Sequence, residues 1–286
     1  MIPSVGEGIN WSIDSRDPHF RAPLVMGILN VTPDSFSDGG KYTNLENALT
    51  HARVMLRDGA DIIDIGGEST RPGSASVGVK KELARVIPVI KALSAEKVSL
   101  ISIDTQKSEV ALAAIKHGAH IVNDVSAGQY DKSMMQVVAD TGAIYIMMHM
   151  LGTPDIMQNA PNYESVLGDI KKFFTDRIEL AEKAGIKTSN IVLDPGIGFG
   201  KYLEHNLQII ANIDKFHELG CPLLLGTSRK SFIGLLDGSD VNQRMGGSIA
   251  SVIAAHQKNV QIFRVHDVAE TKQALNIFAV IQKHLV

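Results

Sequence analysis

The chain has 286 residues, of which 44% are hydrophobic and 21% charged, and its formal net charge is −3 at pH 7. This composition is typical of a globular protein and excludes a disordered or collagen-like chain, while the lack of a basic surplus argues against nucleic acid as a partner. The single cysteine, Cys221, cannot form an intramolecular disulfide, and the N-terminal residues resemble no secretory signal. Apolar runs stay far below the roughly 20 residues that cross a bilayer. We therefore expect a cytoplasmic protein with no membrane segment.

Short apolar runs recur along the chain, and each is followed by a loop and a stretch of helical character. The runs are continuous rather than alternating, which indicates parallel strands buried on both faces. At the C-terminus, Val268, Leu275, Phe278 and Leu285 define one apolar face of a helix that can cover such a sheet. The predicted strands are Leu24–Leu29, Ile62–Ile65, Val98–Ile103, His120–Val122, Ala143–Met148, Asn190–Leu193, Pro222–Leu225 and Ile262–Val265.

This β-loop-α repeat predicts an α/β fold of the (β/α)8 TIM-barrel type, with eight parallel strands surrounded by helices. A doubly wound open sheet is the alternative, but it more often has about five to seven strands and a GxGxxG turn after the first. No such turn follows the first strand here. No linker or low-complexity tract divides the chain, so we expect residues 1–286 to form a single domain with a short N-terminal extension, 1–21.

Nearly every predicted strand ends in a polar or charged residue, at what would be the active-site mouth of a barrel. Asp104, followed by Thr105, could instead cap the next helix, and Lys230 or Arg264 could form salt bridges with Asp194 or Asp104. Eight coincident positions make such explanations insufficient, and the pattern indicates a site. The strand-end residues are Asn30, 66–71, Asp104, Asn123, Asp124, His149, Asp194, Lys230, Arg264 and His266.

Long loops rich in Gly, Pro, Ser and Asp follow the first two strands, at Val31–Lys41 and Gly66–Val79. Loops of this length in a compact barrel are usually functional, although mobile surface connectors are the alternative. Phe36 is an apolar residue among polar neighbours in the first loop, which favours ligand contact. The centre of the second loop holds Thr70, Arg71 and Pro72.

The basic set Lys230, Arg264 and His266 suits an anion that must be held and released. The GTSRKS turn leads into a helix whose N-terminus adds partial positive charge, on the side of the barrel that commonly binds phosphate. No His/Cys spacing predicts a zinc site. Asn30, with the loop acids Asp34 and Asp38, suits a magnesium ion shared with substrate phosphates.

Eight motifs in order make the chain resemble the dihydropteroate synthase family across residues 23–285. They are GILNVTPDSFSDGG at 27–40, DIGGESTRPG at 64–73, SIDT at 102–105, IVNDVSA at 121–127, MMH at 147–149, LDPGIGFGK at 193–201, GTSRKSFIG at 226–234 and RVHDV at 264–268.

The resemblance implies three subsites and a set of catalytic residues. The pterin ring would contact Asp104, Asn123, Met148, Asp194, Lys230 and Arg264. Diphosphate would lie over Asn30, Arg264 and His266, with Mg²⁺ held by Asn30. p-Aminobenzoate would contact Phe36, Thr70, Arg71, Pro72, Phe199, Lys230 and Ser231. The catalytic residues would be Asp104, Asp194, Lys230, Arg264 and His266.

The family's reaction would join 6-hydroxymethyl-7,8-dihydropterin diphosphate to p-aminobenzoate by an SN1-like substitution, and the resemblance thus implies a transferase of folate biosynthesis. Sulfonamides would be inhibitors, and the family suggests a homodimer. One alternative is a pterin-binding methyltransferase domain of a corrinoid-dependent system, which has no need of an anion site because methyl transfer releases no diphosphate. Another is a non-catalytic pterin-binding protein, against which the intact motifs argue.

Overall fold

The computed structural model describes residues 23–32, 41–69, 76–98, 100–152 and 161–284. No helix in these ranges is long and apolar enough to span a membrane. The strands of the described chain are β1 Leu24–Asn30, β2 Ile62–Gly66, β3 Ile101–Asp104, β4 Ile121–Asp124, β5 Ile144–Met148, β6 Ile191–Asp194, β7 Leu224–Leu225 and β8 Ile262–Val265.

Helices follow the strands and pack around them. They are α1 Lys41–Arg57, α2 Val79–Ala95, α3 Ser108–Lys116, α4 Met134–Thr141, α5 Val166–Lys183, α6 Leu203–Ala211, α7 Ser231–Asp237, α8 Met245–His256 and α9 Val268–Gln282, with 3-10 turns at Thr188–Asn190, Ile213–Leu219 and Val241–Gln243.

The strands pair in parallel in the order β6-β5-β4-β3-β2-β1-β8-β7. The two ends of this sheet meet, because Leu193 of β6 forms a parallel bridge with Leu223, just before β7. The amide of Leu193 donates to the carbonyl of Pro222 at 2.9 Å. A sheet of eight parallel strands that closes on itself is a TIM barrel, so the predicted fold class is confirmed.

The predicted strand bounds differ from the observed ones at both ends of the strands, and the starts of β3 and β7 lie three and two residues later than predicted. β3, β4 and β6 include Asp104, Asp124 and Asp194, which the apolar pattern had placed after the strands. Their backbones continue the ladder, as the register pair of Asp104 with Asn123 shows. A polar side chain is compatible with a strand end because it faces the barrel mouth or a hydrogen-bonding partner instead of the apolar core.

The barrel interior is filled on its amino-terminal side by a small apolar cluster that includes Ile62, Ile121, Val192 and Ile262. Successive side chains of a strand point to opposite faces, so the residue two positions further along points inward as well. Those positions hold Asp64, Asn123, Asp194 and Arg264. A larger cluster joins the outer faces of the strands to the helices. The alternation of side chains along the strands therefore places these polar residues inside the barrel, at its carboxyl-terminal end.

The apolar face predicted for the C-terminal helix is present on α9. Val268 and Leu275 are buried, and the ring of Phe278 packs edge-on against His256 with centroids 5.5 Å apart. Leu285 and the N-terminal extension, 1–21, lie outside the described residues.

The turn after β6 is closely packed on the end of β5 at Gly196. Gly196 has φ +68, and a Cβ there would lie 2.0 Å from the carbonyl oxygen of His149. Gly142, which ends α4, has a similar φ of +67 but nothing within 4 Å of its Cβ position. Both glycines therefore adopt a left-handed conformation that strains any residue with a Cβ. They differ because only at Gly196 would that Cβ also collide with the backbone of His149.

We expect Gly142→Ala to lower the free energy of unfolding by about 1–2 kcal/mol, the cost of left-handed backbone for a residue with a Cβ. Gly196→Ala should cost several kcal/mol, because the β5 or β6 backbone must also move. Urea unfolding followed by circular dichroism measures both. Equal losses would show that the contact with His149 relaxes without cost.

Candidate active site

Arg264 of β8 lies between two carboxylates at the barrel mouth. Its Nε donates to Asp64 Oδ2 at 2.6 Å and its Nη2 donates to Asp104 Oδ2 at 2.7 Å. Burial favours the neutral form, but the attraction of Asp64 and Asp104 outweighs it and raises the pKa of Arg264. The sequence suggested a salt bridge with Asp104 as an alternative role for Arg264, and this salt bridge is present. It lies at the barrel mouth, so it is part of the site.

Asp64 is the polar residue of this mouth that the sequence analysis did not single out. It is fully buried, and its Oδ2 accepts from Asn123 Nδ2 at 3.1 Å as well as from Arg264. Its Oδ1 has no hydrogen-bond partner among the described residues. The sequence does contain a sign of its role, because Asp64 lies inside the apolar run IIDIG. A carboxylate buried in such a strand requires a cation or hydrogen-bond donors beside it.

Asp104 is held in an environment that disfavours its charge. Burial raises its pKa to about 7, with Arg264 opposing that shift and Asp64 adding to it. The helix-capping alternative for Asp104 is wrong, because the residue at the start of α3 in the N-cap position is Lys107. The Asp104 carboxyl therefore changes protonation near neutral pH.

Asp194 and Lys230 form a second acid–base set at the mouth. Burial raises the pKa of Asp194, opposed by Lys230, and Asp194 Oδ1 accepts from the amide of Gly196 at 2.8 Å. Burial lowers the pKa of Lys230 to about 8, opposed by Asp194. The Lys230 ammonium donates to the carbonyl of Ile197 and lies 4.8 Å from the ring centroid of Phe199. Lys230 and Asp194 thus attract each other at longer range. They do not form the direct salt bridge that the sequence suggested as an alternative role for Lys230.

The turn from β7 to α7 is tied to the end of β8 through Ser228. Ser228 Oγ accepts from the backbone amide of His266 at 3.1 Å and lies 3.0 Å from His266 Nδ1. Arg229, with φ 57, forms an ion pair with Asp267. These two contacts fix the His266 imidazole against the β7–α7 turn and leave Nε2 as its other ring nitrogen. Ser231 begins α7, as predicted.

The strand register places the predicted residues around one rim. Asn30 pairs with Gly66, Gly66 with Asp104, and Asp104 with Asn123. On the other side, Met148 pairs with Asp194. A Cβ at Gly66 would lie 3.4 Å from Asn30 Oδ1, so glycine leaves these polar groups close together.

Asp124 and His149 are occupied by contacts within the protein. Asp124 faces away from the mouth and accepts from the amides of Ser126 and Gly128 and from the hydroxyl of Tyr145, which makes it a structural anchor of the turn after β4. His149 is buried against Lys201. The loop residues Asp34, Phe36, Asp38, Thr70, Arg71 and Pro72 lie outside the described residues, and their roles stay predictions.

The sequence matches the family model described as pterin binding enzyme over residues 26–266. It is 46% identical to a dihydropteroate synthase of Escherichia coli K12, covering 93% of this chain and 92% of that one, and 45% identical to one of Synechocystis, covering 88% of each. A solved dihydropteroate synthase of Yersinia pestis superposes with a TM-score of 0.87 at 46% identity, covering 92% and 95% of the chains.

The chain therefore belongs to the pterin-binding enzymes. Within them, the prediction of a dihydropteroate synthase, a transferase of folate biosynthesis, is confirmed by these relatives. The alternative of a corrinoid-dependent methyltransferase domain has no comparable support.

We expect the affinity for a pterin without phosphate to depend on pH through Asp104 and Lys230. Affinity should fall below about pH 7, where Asp104 takes up its proton, and above about pH 8, where Lys230 loses one. Calorimetric titration across pH measures this. Asp104→Asn should remove the acid inflection, and Lys230→Arg should move the alkaline one upward. A profile that neither variant changes would show that these groups do not contact the pterin.

Proposed function

We propose that the chain condenses 6-hydroxymethyl-7,8-dihydropterin diphosphate with p-aminobenzoate, giving 7,8-dihydropteroate and diphosphate. The observation that carries the proposal is the closed rim of buried acids around Arg264, next to Lys230 and His266. Structures of the Xanthomonas albilineans dihydropteroate synthase hold 4-aminobenzoic acid and 7,8-dihydropteroate, which supports the same substrates here.

Pterin recognition requires acceptors for the ring N–H and amino groups and donors for the ring acceptors. Asp194 supplies a buried carboxylate, and Lys230 supplies an ammonium beside it. The Asn123 amide is oriented by its donation to Asp64, and Met148 adds a buried, polarisable wall. The guanidinium of Arg264 offers a flat face for stacking on the ring.

The diphosphate leaving group would be held by Arg264 and His266 with Asn30. With its Nδ1 held by Ser228, the His266 imidazole would donate from Nε2 to a phosphate oxygen. Asn30 ends β1 next to Gly66 and carries one amide oxygen, and the described residues contain no cluster of three His, Cys, Asp or Glu side chains for a metal. A single oxygen ligand from the protein fits Mg²⁺, which usually retains several water ligands and binds substrate phosphates. Mg²⁺ would neutralise charge on the departing diphosphate.

The mechanism that suits these residues is an SN1-like substitution at the pterin CH2–O carbon. The bond to the diphosphate oxygen breaks first, and positive charge develops on the pterin. Asp104 and Asp194 would stabilise that charge with their carboxylates, while Arg264 and His266 would stabilise the leaving group. The aniline nitrogen then bonds to the carbon and loses a proton. No protein nucleophile is needed, so the chain acts by positioning and electrostatics.

p-Aminobenzoate would bind beside the pterin, against Phe199 and near Lys230. Ser231 begins α7, where free backbone N–H groups would suit the carboxylate of p-aminobenzoate. The loop residues Phe36, Thr70, Arg71 and Pro72 would complete this pocket. The Yersinia pestis relative was solved with a sulfonamide drug complex, and we propose that sulfonamides occupy the same place here.

We further propose a cytoplasmic homodimer. The single cysteine, Cys221, is buried and unpaired, which is consistent with a reducing compartment. A run of large apolar side chains is exposed between α7 and the start of α8, and a second copy of the chain would cover it. These residues are Leu235, Leu236, Val241 and Met245.

The reaction is tested by incubating the purified chain with pterin diphosphate and p-aminobenzoate in Mg²⁺ and following both products. We expect diphosphate and dihydropteroate in equal amounts. Diphosphate without dihydropteroate would indicate a hydrolase, and binding without release of either would indicate a non-catalytic pterin-binding protein.

We expect Asp194→Asn to weaken the binding of a pterin analogue by roughly ten- to a hundredfold, because an amide presents its own N–H2 to a donor. Calorimetry measures the affinity, and Asp176→Asn on the exposed face of α5 is the matched control. Affinity within twofold of the parent chain would remove Asp194 from the pterin pocket.

A further inference from the structure

Lys201 is a buried lysine that the proposed reaction does not use. It is 4% exposed and lies at the end of the turn that connects β6 to α6. Its Nζ lies 2.9 Å from His149 Nδ1, 3.3 Å from the His149 carbonyl oxygen and 3.0 Å from the Phe199 carbonyl oxygen. Three acceptors thus surround one nitrogen.

This geometry satisfies every hydrogen-bonding group of the pair. An ammonium donates to both carbonyls and to an unprotonated Nδ1, whereas a neutral amine donates to both carbonyls and accepts from a protonated Nδ1. Burial together with Lys201 lowers the pKa of His149 to about 2, so His149 is neutral in either arrangement. Burial lowers the pKa of Lys201 well below its ordinary value, opposed by Asp194.

The Lys201 amino group joins two parts of the mouth that are distant in sequence. One is the end of β5 at His149, and the other is the turn that carries Phe199. Lys230 donates to Ile197 in the same turn and lies over the Phe199 ring, and Asn206 accepts from the amide of Gly198. Lys201 binds the carbonyl oxygen of Phe199, whose amide donates to the carbonyl of Gly196 within the turn.

We propose that Lys201 is a positioning residue for p-aminobenzoate: by fixing the Phe199 carbonyl against His149, it sets the place of the Phe199 ring beside Lys230. The inference rests on the proposed function, in which Phe199 is a wall of the p-aminobenzoate pocket. Lys201 acts on the substrate only through Phe199, so its loss should affect the second substrate more than the first.

The test is steady-state kinetics of Lys201→Met, Phe199→Ala and the double variant. Lys201→Met should raise KM for p-aminobenzoate by roughly tenfold, because the hydrogen bond that fixes the Phe199 carbonyl is lost, and change KM for the pterin diphosphate by less than about threefold. The double variant should be no worse than Phe199→Ala, because both changes act through one ring. Lys172→Met, on the exposed face of α5, controls for loss of a lysine.

Additive effects in the double variant, an unchanged KM for p-aminobenzoate, or equal rises in both KM values would overturn the proposal. If Lys201→Met does not fold, Lys201→Arg keeps the charge but cannot place three donors on these acceptors. It should then show the same selective KM rise, and parent-like kinetics would refute the proposal. Failure of the proposed function is distinguishable, since the parent chain would then form no dihydropteroate.

Discussion

The guanidinium of Arg264, buried between Asp64 and Asp104, is the interaction on which the rest of the mouth depends. Two carboxylates can be buried this close only because a cation lies between them. The same arrangement leaves Asp64 as the acceptor for Asn123 and holds the pKa of Asp104 near neutrality. Because β8 lies beside β1 in the barrel, Arg264 reaches the acids on β2 and β3. The ion pairs therefore depend on the closed fold.

Much of the barrel could be predicted from the sequence, because parallel strands buried on both faces give continuous apolar runs. β8 was bounded correctly, whereas β3 begins three residues later than predicted, at Ile101, because Val98 belongs to the turn that follows α2. The ends at Asp104 and Asp194 were missed since hydrophobicity cannot distinguish an inward polar residue of a strand from the first residue of a loop.

Without the family resemblance, most of the site could be predicted only as a set of strand ends. Asn123 and Asp124 are adjacent in sequence, yet strand alternation sends one into the mouth and the other to the helices. Asp64 lay within a strand and therefore outside any search of strand ends. The contacts of Lys201 depend on the path of the turn after β6, which no local pattern encodes. Side-chain direction and long-range charge pairing are the information that periodicity lacks.

The central claim, that the Arg264 cation is what permits the buried acids, is tested most directly by a double-mutant cycle on the free energy of unfolding. Arg264→Met should cost about 3–5 kcal/mol, because it leaves buried carboxylates without their cation. Asp64→Asn should cost less, because Arg264 keeps its ion pair with Asp104. The double variant should cost much less than their sum, since the remaining pocket then holds one fewer unpaired charge. Costs that simply add would contradict the claim, because the two side chains would then be stabilised independently.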